Sequence, residues 1–156
     1  MPNQSHHRFA ACLPPSLALA AILATALTSC RPAQDIHRVT VSGTDYAFGA
    51  LPAIRPGLTA FGFENRGKVK HEMILARLKE GVTLKQVLDL AQSGADPDSL
   101  ADAAGVLFAG PGQRSGGELL VQLTPGRTYA MVCTFRDAKD KPPHVALGMV
   151  TSFTAQ

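Results

Sequence analysis

Apolar and polar residues alternate along most of the chain after residue 36, which is the signature of strands with one buried face. Val39 and Val41 fall on one side of the first such stretch and Thr40 and Ser42 on the other, with Tyr46 and Phe48 following before a glycine-rich turn. Leu58 to Asn65 alternates again, with Phe61 and Phe63 sharing a face, Pro56-Gly57 before it and Asn65-Arg66-Gly67 closing it. In His71 to Leu78, HEMILARL, a period of two puts His71, Met73 and Leu75 on one side and Glu72, Ile74 and Ala76 on the other. The rhythm then changes. Thr83 and Gln86 have capping-box spacing, and Leu84, Val87, Leu88 and Ala91 recur as on an amphipathic helix ending near Gly94. Asp96, Pro97 and Gly105 predict a second short helix over Pro97–Ala104. GPGQRSGG, Gly110 to Gly117, reads as a loop. After it Glu118 to Leu123 alternates, Pro125-Gly126 turns the chain, and Arg127 to Phe135 carries Tyr129, Met131 and Cys133 on one side. A last strand is predicted from Leu147 to Thr154. Six or seven strands with a helical insertion predict an all-β antiparallel sandwich.

The start of the chain departs from this pattern. Leu17 to Leu27 is an apolar run of 11 residues, too short for a spanning helix of about 20. It suits the apolar region of a signal peptide, and Leu27-Thr28-Ser29-Cys30 looks like a bacterial lipobox. Residues 1–29 are therefore expected to be a lipoprotein signal peptide, Cys30 the lipidated residue, residues 30–37 a tether and residues 38–156 the folded domain. An extracytoplasmic, lipid-anchored location in a bacterial cell envelope follows from that expectation.

Charge and composition narrow the function. The 156 residues carry 15 basic and 12 acidic side chains, and loss of the signal segment removes only Arg8. A near-balanced charge, no Trp and nine Phe and Tyr offer neither a phosphate-binding face nor a stacking platform, so no nucleic-acid partner is expected. No glycine-rich loop opens a helix after a strand, no Cys-x-x-Cys is present, and Cys133 lacks an evident orienting group and substrate pocket for a nucleophilic dyad. No enzymatic activity is called for. With Cys12 in the signal and Cys30 lipidated, Cys133 is left as a single thiol, either buried and inert or held by a metal.

Metal binding is favoured by its neighbours. Cys133 to Met149, CTFRDAKDKPPHVALGM, gathers a thiol, the His144 imidazole and a thioether. Two imidazoles, one thiolate and a weak axial thioether make up an electron-transfer copper site. The second imidazole must be His37 or His71, and the alternation of HEMILARL favours His71. The order of these residues resembles the cupredoxins, the family of plastocyanins and azurins. The resemblance runs from about Val39 to Thr154 and is carried by HEMILARL, by PGRTYAMVC leading to the cysteine, and by HVALGM, where His144 and Met149 have plastocyanin-like spacing.

The resemblance implies a Greek-key β-sandwich with one type 1 copper ion on His71, Cys133, His144 and Met149. It also implies one-electron exchange with periplasmic or membrane-bound redox proteins, a monomer, an exposed His144 edge as electron port, and a Glu72 backbone N–H donated to the cysteine sulfur. Ten residues separate Cys133 from His144, more than in familiar members. Two other functions fit the same residues: copper storage or delivery, and a metal-free interaction module.

Overall fold

The structure, a computed structural model, describes residues 35–93 and 99–156. The expected signal peptide, Cys30 and most of the tether lie outside the described residues, as do Gly94 and the Asp96-Pro97 pair. Eight strands are present among the described residues: β1 His37–Thr44, β2 Ala47–Phe48, β3 Gly57–Asn65, β4 His71–Leu78, β5 Ala101–Ala109, β6 Leu119–Leu123, β7 Thr128–Val132 and β8 Val150–Thr154. One helix, α1 Leu84–Ser93, follows β4.

The strands form two four-stranded sheets, ordered β2-β1-β3-β6 and β5-β4-β7-β8. This is the expected sandwich, with eight strands where six or seven were expected and with β1 and β3 pairing in parallel, from His37 opposite Thr59 to Gly43 opposite Asn65. The two-residue β2 folds back on β1, and the segment after it returns the chain to the end where β1 began. All other pairs are antiparallel.

Alternation sorts the side chains as the sequence predicts. Val39, Val41, Phe61 and Phe63 from one sheet meet Met73, Leu75, Tyr129 and Met131 from the other in one buried core. Each such burial is worth roughly 1.5–3 kcal/mol, so this interface dominates the stability of the domain. The outer face of the second sheet is covered by α1, whose Val87 packs with Leu78, Ala101 and Ala130. A cavity of about 250 Å³ remains beneath the helix, lined by small residues including Ala76, Ala91 and Ala103. The capping box is formed: the Gln86 side-chain oxygen accepts from the Thr83 amide at 2.8 Å, and Thr83 Oγ1 accepts from the Gln86 amide at 3.4 Å.

Over Ala101–Ala104 the expected second helix is replaced by strand. Ala101 to Ala104 belongs to β5, which pairs with β4 over the whole of that strand, from Leu78 opposite Ala101 to His71 opposite Ala109. Helix propensity of the alanines is a few tenths of a kcal/mol per residue, and pairing against β4 outweighs it. Gly105 is therefore not a helix terminator. It sits opposite Leu75, beside an irregularity in the β4–β5 register, and a Cβ there would come within 2.4 Å of a Leu119 methyl.

Candidate metal centre

Four loops converge at one end of the sandwich. His71 opens β4, and its position is set by Asn65, whose buried amide donates to the carbonyls of Val69 and Ala109 and accepts from the Gly67 N–H. Cys133 follows β7 directly. Its amide donates to the Met149 carbonyl at 3.2 Å, and its carbonyl accepts from Val145 at 2.7 Å. His144 starts a 3-10 turn, His144–Leu147, rather than lying in an open loop. Gly148 ends that turn at φ 110°, a left-handed conformation suited to glycine, and β8 begins after Met149. The Met149 amide donates to the His144 carbonyl at 2.9 Å, so Met149 is joined by its backbone to both other residues of its loop.

The ten residues between Cys133 and His144 do not loosen this arrangement. The His144 amide donates to the Phe135 carbonyl at 2.8 Å, and together with the Val145–Cys133 bond this pinches the loop at its neck. Only residues 136–143 project outward. Glu72 adds a second clamp, because its carboxylate accepts from both the amide and the hydroxyl of Thr134, at 2.9 and 2.6 Å.

The geometry at the centre is compact and buried. His71, Cys133, His144 and Met149 are all buried. The two Nδ1 atoms are 3.1 Å apart, and Cys133 Sγ is 3.8 Å from that of His71 and 3.4 Å from that of His144. A triangle with those sides has a point about 2.0 Å from every corner, close to the roughly 2.0–2.3 Å of metal–imidazole and metal–thiolate bonds. The three side chains form a group able to hold a metal ion. Met149 lies buried in the core cluster with Cys133, and its methyl group would contact a side chain at Gly43, which glycine leaves clear. As the resemblance implied, the Glu72 N–H donates to the Cys133 sulfur, at 3.4 Å.

Two carboxylates that the sequence reading missed fix the imidazoles from behind. His144 Nε2 is 3.0 Å from Asp137 and His71 Nε2 is 3.4 Å from Asp45. A ring that donates its Nε2–H to a carboxylate presents a lone pair at Nδ1. Both lone pairs then face each other and the sulfur, an arrangement that is repulsive when empty and complementary to a cation. Tyr46, at φ 65°, stands edge-on to both rings, with centroids 5.0 Å from His144 and 6.4 Å from His71, and its hydroxyl donates to Asp137. The two carboxylates come from loops, where neither period nor capping signal marks them.

His144 is only 1% exposed, and its outer nitrogen is covered by Asp137. The expected exposed histidine edge is therefore absent, because the longer loop folds its own carboxylate over the ring. His37 lies in β1, paired with Thr59 and away from the group.

No protein-family model matches the chain, and no curated protein matches it. Among solved structures, auracyanin B superposes with a TM-score of 0.53 at 21% identity, over 81% of this chain and 92% of that one. Auracyanin A of Chloroflexus aurantiacus, described as a "blue" copper protein, gives 0.53 at 16% identity over 78% and 100%. Dithionite-reduced auracyanin of Roseiflexus castenholzii gives 0.52 at 19% over 76% and 96%. The fold is cupredoxin-like. Within that cupredoxin fold the donor set of two imidazoles, one thiol and one thioether fits one type 1 copper.

Burial gives the copper-free site a pH signature. Desolvation lowers the His71 pKa, with Asp45 partly opposing it, and desolvation raises that of Cys133 against the Glu72 and Phe135 amides. An unfolded histidine protonates near pH 6.5, before the folded one, so His71 lowers stability as pH falls below about 6.5. An unfolded cysteine ionises near pH 8.5, before the folded one, so Cys133 lowers stability as pH rises above about 8.5. Thermal melts of the reduced, copper-free chain should show a plateau between those limits. Cys133→Ser should remove the alkaline decline and keep the acid one.

Proposed function

We propose that the chain is an extracytoplasmic carrier of single electrons, holding one copper ion on His71, Cys133 and His144 with Met149 as the axial ligand. The observation that carries this reading is the pair of carboxylate-backed imidazoles whose Nδ1 atoms meet a buried cysteine sulfur at mutual distances of 3.1–3.8 Å. Copper, when bound, supplies a one-electron couple between its cuprous and cupric states. The protein residues supply the rest. Asp45 and Asp137 hold the rings in place, the Glu72 N–H stabilises negative charge on sulfur, and the backbone bonds among Cys133, His144, Val145 and Met149 resist movement when charge changes. A buried site braced in this way keeps water out and the cost of reorganisation low.

Auracyanin A is described as a "blue" copper protein, which agrees with a carrier rather than an enzyme. The Cys30 lipobox supports a lipid anchor on the outer side of a bacterial membrane, with periplasmic or membrane-bound redox proteins as partners of a monomeric carrier. The deciding experiment is the absorption spectrum of the chain loaded with Cu(II) and dialysed. The expected result is one copper per chain and a strong visible thiolate-to-copper charge-transfer band that ascorbate bleaches reversibly. Tight cuprous binding without that band would point to storage or delivery. Failure to retain any copper would leave only the metal-free module.

A further inference from the structure

Beside the centre runs an open groove of about 530 Å³, lined by Lys68, Val69, Lys70, Pro111, Phe135, Arg136 and Asp137. Its three cations are exposed and belong to two loops, residues 66–70 and the projecting loop after Phe135. Neither lysine has a carboxylate partner among the described residues. The nearby carboxylates are directed inward: Asp137 to His144 and Tyr46, Asp45 to His71 and the Lys68 amide. The groove thus presents positive charge even though its wall includes an aspartate.

An apolar element completes it. Phe108 is 54% exposed and stacks on Phe135 with ring centroids 5.9 Å apart. An exposed phenyl ring backed by a half-buried one, beside a cationic rim, has the composition of a protein docking site: an apolar centre for contact and charges for steering. The groove also solves the access problem created by the burial of His144. Asp137 is at once a wall of the groove and the hydrogen-bond partner of His144 Nε2, so a molecule seated there is one side chain away from the copper ligand.

We propose that this groove is the docking surface for an acidic face of a protein redox partner, which exchanges its electron across Asp137 and His144. The proposal rests on the electron-transfer reading and adds the partner's chemistry. Its step is a single electron passing from the reduced partner to the cupric site, oxidising one and reducing the other, with no atom or proton transferred.

The test uses the full chain and a plant-type [2Fe–2S] ferredoxin, chosen as an acidic one-electron protein. Stopped-flow reduction of the copper-loaded chain by reduced ferredoxin should slow as salt is added. It should fall about tenfold at low salt in the triple variant Lys68→Gln, Lys70→Gln, Arg136→Gln, whose visible band is unchanged. Reduction by hexaammineruthenium(II), a small cation, should not slow in the variant. In a second measurement, oxidised ferredoxin is titrated into the ¹⁵N-labelled, copper-free chain. The amide shifts should centre on Val69, Lys70 and Phe135 and vanish in the triple variant.

Because that second arm needs no copper, it separates the two ideas. Shifts in the groove of a chain that never retains copper keep the docking surface and sink only electron transfer. An unchanged ferredoxin rate in the variant, or shifts elsewhere, would overturn the docking proposal. Binding to phosphatidylglycerol vesicles that the variant abolishes, with the ferredoxin rate intact, would overturn it in favour of anionic headgroups.

Discussion

Cys133→Ser should give a folded chain that no longer gains stability from copper and never turns blue. The substitution exchanges a soft thiolate for a hard hydroxyl at the corner of the triangle and leaves both Nδ1 atoms 3.1 Å apart, as before. The Glu72 N–H keeps an acceptor of smaller reach, so the copper-free fold should change by only about 1 kcal/mol. Copper binding to the native site is a different matter. At a free concentration 1,000 times the Kd, a ligand bound only by the folded state adds about 4 kcal/mol, roughly 10–20 °C in Tm for a domain of this size. Calorimetry with and without copper should show that rise in the native chain and a small fraction of it in Cys133→Ser. An equal rise in both would mean that the metal binds elsewhere.

How much of this was legible in the sequence follows from where periodicity applies. The buried faces of β1, β3, β4 and β7 were readable because a period of two places Val39 and Val41, Phe61 and Phe63, and Met73 and Leu75 on one side, and the core takes those residues. His71, Cys133, His144 and Met149 were readable because few residues of their type exist to choose from. The segment Ala101–Ala109 was not readable. Its alanines fit a helix as well as a strand, and only the unpaired edge of β4 decides between them. Asp45, Tyr46 and Asp137 were invisible for another reason. Each sits in a loop and acquires its role from a partner 26, 98 and 7 residues away in the sequence.

The long loop shows the same division between spacing and folding. Counted along the chain, ten residues between Cys133 and His144 suggest a loose site. In space, the bond from the His144 amide to the Phe135 carbonyl shortens the working connection to a few residues, and the surplus carries Asp137 over the ring. Extra length therefore closes the site rather than opening it. It also moves the approach to the metal from the histidine edge to the basic groove at its side.

Removing both backing carboxylates should be nearly as damaging to copper affinity as removing a ligand. Asp45→Ala and Asp137→Ala each release one imidazole to rotate and to shift its proton to Nδ1, where it blocks the donor lone pair. Both carboxyls are held in the ionised form, Asp45 first by the Lys68 N–H and Asp137 first by the Tyr46 hydroxyl, so both act as acceptors at neutral pH. Loss of such a partner typically costs 10–100-fold in metal affinity, so two independent losses would cost about 10²–10⁴-fold. The rings are 4.9 Å apart and would share one metal, so the two losses should not be additive, and a double-mutant cycle will measure the coupling. Competition against a cuprous chelator gives the affinities. Asp45→Asn and Asp137→Asn provide the control, because an amide oxygen still accepts the Nε2–H. The asparagine pair should therefore retain most of the affinity that the alanine pair loses. Equal losses in both would show that charge, not tautomer, is what the carboxylates supply, and affinity within threefold of the native chain in all four variants would mean that Tyr46 and the surrounding packing orient the rings unaided.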